Sequence, residues 1–304
     1  MAISPRTSPS NNIRAKSANP GPRSKARGTV VAVQQGRAAY APTTLQTSAI
    51  TDPVVAEKKL AMAWLHTAHF LTTAAQLHHL PELNLPEIAF VGRSNAGKST
   101  CINTITQQKQ LAYASKTPGR TQHINLFSVG KNGVHDGVLA DLPGYGYAAV
   151  PKSAKYRWQQ VMANYLVSRP QLKAVVMLCD PRHGITELDE VLLEVIRPRV
   201  TEGLKFLILL TKADKLSKNE AAKAMSIARL QAGGGQVMMF SAPKRVGVEE
   251  TAVLLRQWMA GGLGELQAAQ AVLDAQAAAE AAALLAQSLA DGEADGGVVG
   301  GVEV

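Results

Sequence analysis

Cysteine is scarce. Two residues, Cys101 and Cys179, are all that 304 positions hold. Each lies in an apolar run and neither belongs to a C-x-x-C pair, which argues against a disulfide framework or a zinc site and fits a reducing compartment. No apolar run reaches the roughly 18 residues needed to span a bilayer, so a soluble protein is expected. There is no repeat of solenoid length. No C-a-a-X box ends the chain and no glycine follows its first methionine, so no lipid anchor is expected. Acidic residues are absent before Asp52, where seven are basic, and basic residues are absent after Arg256, where seven are acidic. The two ends cancel. The middle holds 25 basic and 16 acidic residues and carries the whole formal charge of +9. A basic folded core points to a polyanionic partner such as RNA, and ordinary solvated lysines are the plainer alternative.

Residues 1–52 are rich in Ser, Pro, Asn, Arg and Ala and lack hydrophobic periodicity, which reads as a disordered basic tail. An acid-poor start with Arg and Ser also allows organelle import, the less favoured reading. From Val54 to Leu77 the apolar spacing of Val55, Leu60, Trp64 and Phe70 predicts a helix. Strand-like runs follow near Glu87–Val91, Ile124–Val129, Val138–Asp141, Ala174–Asp180, Phe206–Thr211 and Gln236–Phe240. Helical patterns lie near 98–107, 152–168, 186–198, 217–230 and 248–260. This alternation predicts an α/β domain over 53–261, with about six strands, mostly parallel, and helices on both faces. Residues 130–137 leave room only for a turn, so the second and third strands should form an antiparallel edge hairpin. Residues 262–304 read as an Ala-rich helix and then a disordered acidic end.

Gly92-Arg93-Ser94-Asn95-Ala96-Gly97-Lys98-Ser99 satisfies G-x-x-x-x-G-K-[ST], with a strand before it and a helix after it. The glycines let the backbone close around phosphate oxygens, and successive N–H groups with the helix N-terminus supply positive charge. Lys98 should reach the β- and γ-phosphates and Ser99 should ligate Mg²⁺. The base is read from Thr211-Lys212-Ala213-Asp214, which follows an apolar strand. A carboxylate there accepts from both N1–H and the 2-amino group of guanine, and adenine would leave it unpaired. Phe240-Ser241-Ala242 ends the next strand, where a backbone N–H could meet guanine O6. Asp141-Leu142-Pro143-Gly144 places a carboxylate to hold Mg²⁺ through water and the Gly144 N–H to sense the γ-phosphate. In the loop "KTPGRTQ", Thr121 is the candidate second magnesium ligand.

"GRSNAGKST", "SKTPGRTQHIN", "DLPGYGYA", "TKADKL" and "FSA" resemble, in order, the five nucleotide-binding elements of the EngB (YihA/YsxC) GTPases, in the TrmE–Era group of Ras-like P-loop GTPases. The resemblance spans about residues 60–260. It implies a Mg²⁺-dependent enzyme that binds GTP and GDP and acts in late assembly of the large ribosomal subunit, with links to cell division and septation. Its nucleotide site would comprise Gly92–Ser99, Gly119, Arg120, Thr121, Gln122, His123, Asp141–Gly144, Thr211–Asp214 and Phe240–Ala242. Magnesium would sit on Ser99 and Thr121.

Ras-like enzymes orient the attacking water with a glutamine after the D-x-x-G glycine, and here Tyr145 stands there. Slow turnover is therefore expected, in the unstimulated class of about 10⁻⁴ s⁻¹, with Lys98, Thr121 and Gly144 carrying the chemistry. A partner or K⁺ beside Asn95 would complete the site. Lys109, Lys116, Arg120, Lys152, Lys155 and Arg157 are the candidate rRNA contacts. The expected protein is a bacterial cytoplasmic monomer that avoids membranes. The alternative is a GTPase switch with a protein partner in division and no ribosomal role. The pair Arg182-His183 is expected to shape the surface or touch a partner.

Overall fold

A computed structural model describes residues 52–113, 123–131, 133–146 and 152–294, with side chains in all of these except 152–159 and 285–294. Both expected tails up to Thr51 and beyond Ala294 lie outside it, as does the loop carrying Lys116, Gly119, Arg120, Thr121 and Gln122.

The chain enters through α1 (Pro53–His66). Asp52 accepts from the Val54 N–H at 2.9 Å, and Pro53 takes the first turn, where its missing N–H has no cost. Here the structure departs from the expected helix over Val54–Leu77. The helix ends at His66, and His69–Ala74 forms β1, antiparallel to β3 (Ile124–Lys131). The apolar spacing continues through Phe70, but Phe70 meets Phe127 of β3 edge-on, with ring centroids 6.3 Å apart. A strand partner more than fifty residues away overrides a local helical pattern.

The remaining elements alternate: β2 (Glu87–Gly92), α2 (Lys98–Ile105), β3, β4 (Val134–Asp141), α3 (Lys152–Ser168), β5 (Leu172–Cys179), α4 (Glu187–Thr201), β6 (Lys205–Leu210), α5 (Lys218–Gln231), β7 (Gln236–Met239) and α6 (Val248–Ala294). The seven strands lie in the order β1-β3-β4-β2-β5-β6-β7. The expected hairpin of β3 and β4 is present, the pairs from β4 to β7 are parallel, and β1 adds a strand outside β3.

Side chains of β2 and β5 alternate between two cores. Ile88, Phe90, Val176 and Leu178 pack toward α1, α2 and α6, while Ala89, Val91, Val175 and Met177 face α3, α4 and α5. Each fully buried aliphatic or phenyl side chain contributes about 1.5–3 kcal/mol. Burial on both faces puts the carboxyl ends of the parallel strands at one edge, and the loops there build the site. α6 does not stop at Gly261: it runs unbroken through Gly261, Gly262 and Gly264 into the Ala-rich stretch, whose described residues are almost all exposed. Among the described residues no helix is long and apolar enough to cross a membrane.

Candidate functional site

The loop after β2 is shaped by close approach. Gly92 has φ +155°, and a Cβ there would lie 2.6 Å from the Leu178 carbonyl oxygen. The loop turns through Asn95 at φ 66° and Gly97 at φ 101°, and the chain enters α2 at Lys98. The α2 N-terminus therefore opens into the loop with its first N–H groups facing inward, the arrangement that accepts phosphate.

Asp141 ends β4 beside this loop. It is 1% exposed, and its Oδ1 lies 3.0 Å from the Lys98 Nζ, which is itself buried. The ammonium sits off the hydrogen-bonding direction, so Oδ1 has a charge partner but no hydrogen bond. A buried carboxylate oxygen left short of a donor suits a water held by a cation. Ser99 stands partly exposed in the first turn of α2. These two residues fit an Mg²⁺ ion alongside phosphate oxygens; Thr121, the other expected ligand, lies outside the described residues.

Beyond Asp141, Leu142 is buried and Gly144 rests against the loop. A Cβ on Gly144 would come within 3.2 Å of the Ser94 N and Cα atoms. The Ser94 N–H donates to the Tyr145 carbonyl at 2.8 Å, and Arg93 pairs with Tyr145 as in a parallel ladder. The Tyr145 hydroxyl is turned away from the phosphate loop. It donates to Asp189 Oδ1 at 2.5 Å, while Asp189 Oδ2 accepts from the Thr186 N–H and Oγ1, each at 2.8 Å, at the start of α4. Burial and the Asp189 carboxylate hold the Tyr145 phenol well above its ordinary pKa.

The base end is tied together by long-range bonds. Thr211 Oγ1 donates to the Ala96 carbonyl at 2.7 Å and to that of Cys179 at 3.1 Å. Lys212, at φ 52°, donates from Nζ to the Asn95 carbonyl and to Asp180 Oδ2, both at 2.9 Å. Ala213 N–H bonds the Phe240 carbonyl at 3.1 Å. Asp214 Oδ1 accepts from the fully buried Ser241 hydroxyl at 2.7 Å, which holds the Asp214 carboxyl below its usual range. Ser241 N–H is spent on the Val246 carbonyl at 3.0 Å, and Ala242 lies partly buried next to it. His123 is exposed at the start of β3.

Asp180 is a site residue that no sequence motif marks. Burial pushes its carboxyl up, but hydrogen bonds from Arg182 and Lys212 outweigh that and hold it well below the usual carboxylate range. Arg182 grips it with Nε at 2.9 Å and Nη2 at 2.6 Å, so this arginine is tied to the site rather than only to the surface. A cavity of about 270 Å³ opens between Arg93, Asn95, Asp180, His183 and Lys212. The position of Asp180 at a strand's carboxyl end, two residues before Arg182, was the available signal.

A phosphate loop, the Thr211–Asp214 segment and a D-x-x-G segment thus converge at one edge. Residues 87–212 match the family model described as "50S ribosome-binding GTPase". The chain is 73% identical over 199 residues to a "Probable GTP-binding protein EngB" of Albidiferax ferrireducens, an alignment covering 66% of this chain and 96% of that protein. It is 75% identical over 202 residues to the protein of that name in a Polaromonas species, covering 66% of this chain and 82% of that one. In Paraburkholderia phymatum the identity is 47% over 208 residues, with 66% and 93% covered. The chain belongs to the EngB family. It binds GTP and GDP and hydrolyses GTP.

Proposed function

We propose that this EngB-family GTPase is a nucleotide-dependent switch in assembly of the large ribosomal subunit, in the bacterial cytoplasm, on which normal cell division and septation depend. The contact between Gly144 and Ser94 carries the switch reading. A γ-phosphate in the loop would meet the Gly144 N–H and so bias the segment that follows it. The ribosomal reading is supported by the description of the matching family model and by the net positive charge between the two ends.

The site residues divide the work. Backbone N–H groups of Asn95 and of Gly97 to Ser99 hold the phosphates. Lys98 moves from Asp141 onto the β- and γ-phosphates. Asp214 reads guanine N1–H and its amino group, held by the Ser241 hydroxyl. Because Ser241 N–H is already engaged, Ala242 N–H is the donor for O6. Ser99 and Thr121 would hold Mg²⁺, with Asp141 acting through water, and the ion supplies charge neutralisation on the phosphate oxygens. The Tyr145 hydroxyl faces Asp189, so it does not orient the attacking water, and intrinsic turnover is slow. Asn95 is exposed at the loop rim, where its amide oxygen can bind K⁺ beside the phosphates. Equal turnover in KCl and NaCl would refute the cation.

The decisive test is co-sedimentation with large ribosomal subunits in a non-hydrolysable GTP analogue, in GDP and without nucleotide. Analogue-dependent binding is expected. Equal binding or none in all three states overturns the ribosomal switch and favours a protein partner in division.

A further inference from the structure

The expected rRNA contacts lie mostly around the switch loops. The structure shows a further basic surface beside the Thr211–Asp214 segment. Three loops leave the carboxyl ends of β5, β6 and β7, which are neighbours in the sheet. They present Arg182 and His183, Lys212 and Lys215, and Lys244 and Arg245. The two acids in these loops turn inward. Asp180 is 8% exposed and holds Arg182 and Lys212, and Asp214 is 10% exposed, bonded to Ser241 and 3.7 Å from Lys215. Lys244 and Arg245 form the exposed tip of a turn closed by Ser241 and Val246, whose N–H and carbonyl groups bond each other at 3.0 and 3.1 Å. Among the described residues neither side chain has an ion-pair partner, and Arg245 is held at φ 54°, a conformation that costs a side-chain-bearing residue energy. The nearest acids past the turn, Glu249 and Glu250, are both engaged by Lys58.

The geometry points to this rim as a docking surface for the phosphate backbone of RNA, used equally in the GTP and GDP states. The inference rests on the ribosomal reading above for its choice of polyanion. The state independence follows from construction. The rim contains neither switch loop, and it is braced by bonds to the guanine end, which both nucleotides share. A surface with equal affinity for a partner in two states adds affinity without shifting their balance. The rim therefore supplies grip, and the switches supply timing.

The test uses the full chain with K244A/R245A and, separately, K244R/R245K. Neither residue belongs to the nucleotide site, so GDP affinity and intrinsic hydrolysis should be unchanged. Affinity for large subunits should fall about tenfold for K244A/R245A, by the same factor with GDP and with the analogue. The slope of log affinity against log salt should shrink by about one for each phosphate that is no longer neutralised. The charge-retaining variant should bind like the original. Unchanged affinity and slope overturn the proposal. So does a loss confined to one nucleotide state, or a loss on intact subunits with none on deproteinised large-subunit rRNA, which would place a protein on the rim. Equal binding of the original protein in both states refutes the switch reading alone, because the loss in K244A/R245A is still measured.

Discussion

At Asp180 a single carboxylate joins three parts of the nucleotide site. It holds Lys212, which also bonds the Asn95 carbonyl, and it fixes Arg182 beside the base end. Hydrogen bonds to charged groups contribute about 1.5–3 kcal/mol, and the solvated side of Lys212 puts this one at the low end. Asp180→Ala should therefore weaken GDP binding about 5- to 30-fold, with Asp180→Asn recovering part of the loss, both measured by fluorescent-nucleotide kinetics. Unchanged affinity would show that Lys212 positions itself. The phosphate loop and Asp214 could be read from spacing because their chemistry is local. Asp180 and Tyr145 could not, because their partners Lys212 and Asp189 lie 32 and 44 residues away.

Between elements, a buried clamp ties β2 to α3. Glu87 is fully buried at the start of β2. It accepts from Tyr165 at 2.5 Å and from Arg169 at 2.6–3.2 Å. Arg169 also bonds the Pro81 carbonyl at 2.8 Å. The clamp thus fixes the far end of the helix that follows the D-x-x-G segment to the strand that carries the phosphate loop. Removing one partner of a buried ion pair leaves an uncompensated charge and costs about 3–5 kcal/mol. Arg169→Ala should lower the unfolding free energy by that much in urea, and a change below about 1 kcal/mol would show that the clamp does not hold the fold together. Most elements were legible from alternation and periodicity. β1 was not, because "HFLTTA" continues a helical spacing and becomes a strand only through its pairing with β3.

For the whole molecule, Tyr145 and Tyr165, among the described residues, are buried donors to carboxylates. Burial first, and then Asp189 or Glu87, raises the Tyr145 and Tyr165 phenols well above their ordinary value. A folded pKa above the unfolded value of about 10 means the stabilisation is present below that pH and is lost as pH rises through the folded values. In an alkaline titration these two phenols should ionise only with cooperative loss of structure, seen as a phenolate absorbance step coincident with the circular dichroism change. Tyr145→Phe should shrink the step. Smooth ionisation of all six tyrosines before unfolding would contradict the buried bonds.

The sequence by itself determined a P-loop GTPase, with Gly92–Ser99 expected on phosphate, Asp214 expected on guanine and a switch segment expected from Gly144. Such contacts use short stretches whose spacing suffices to define them. The tertiary structure alone decided that Tyr145 serves Asp189, that Asp180 braces Lys212, and that the cations of three separate loops share one rim. Those relations depend on which strands become neighbours, and burial and pairing across the whole sheet settle that order.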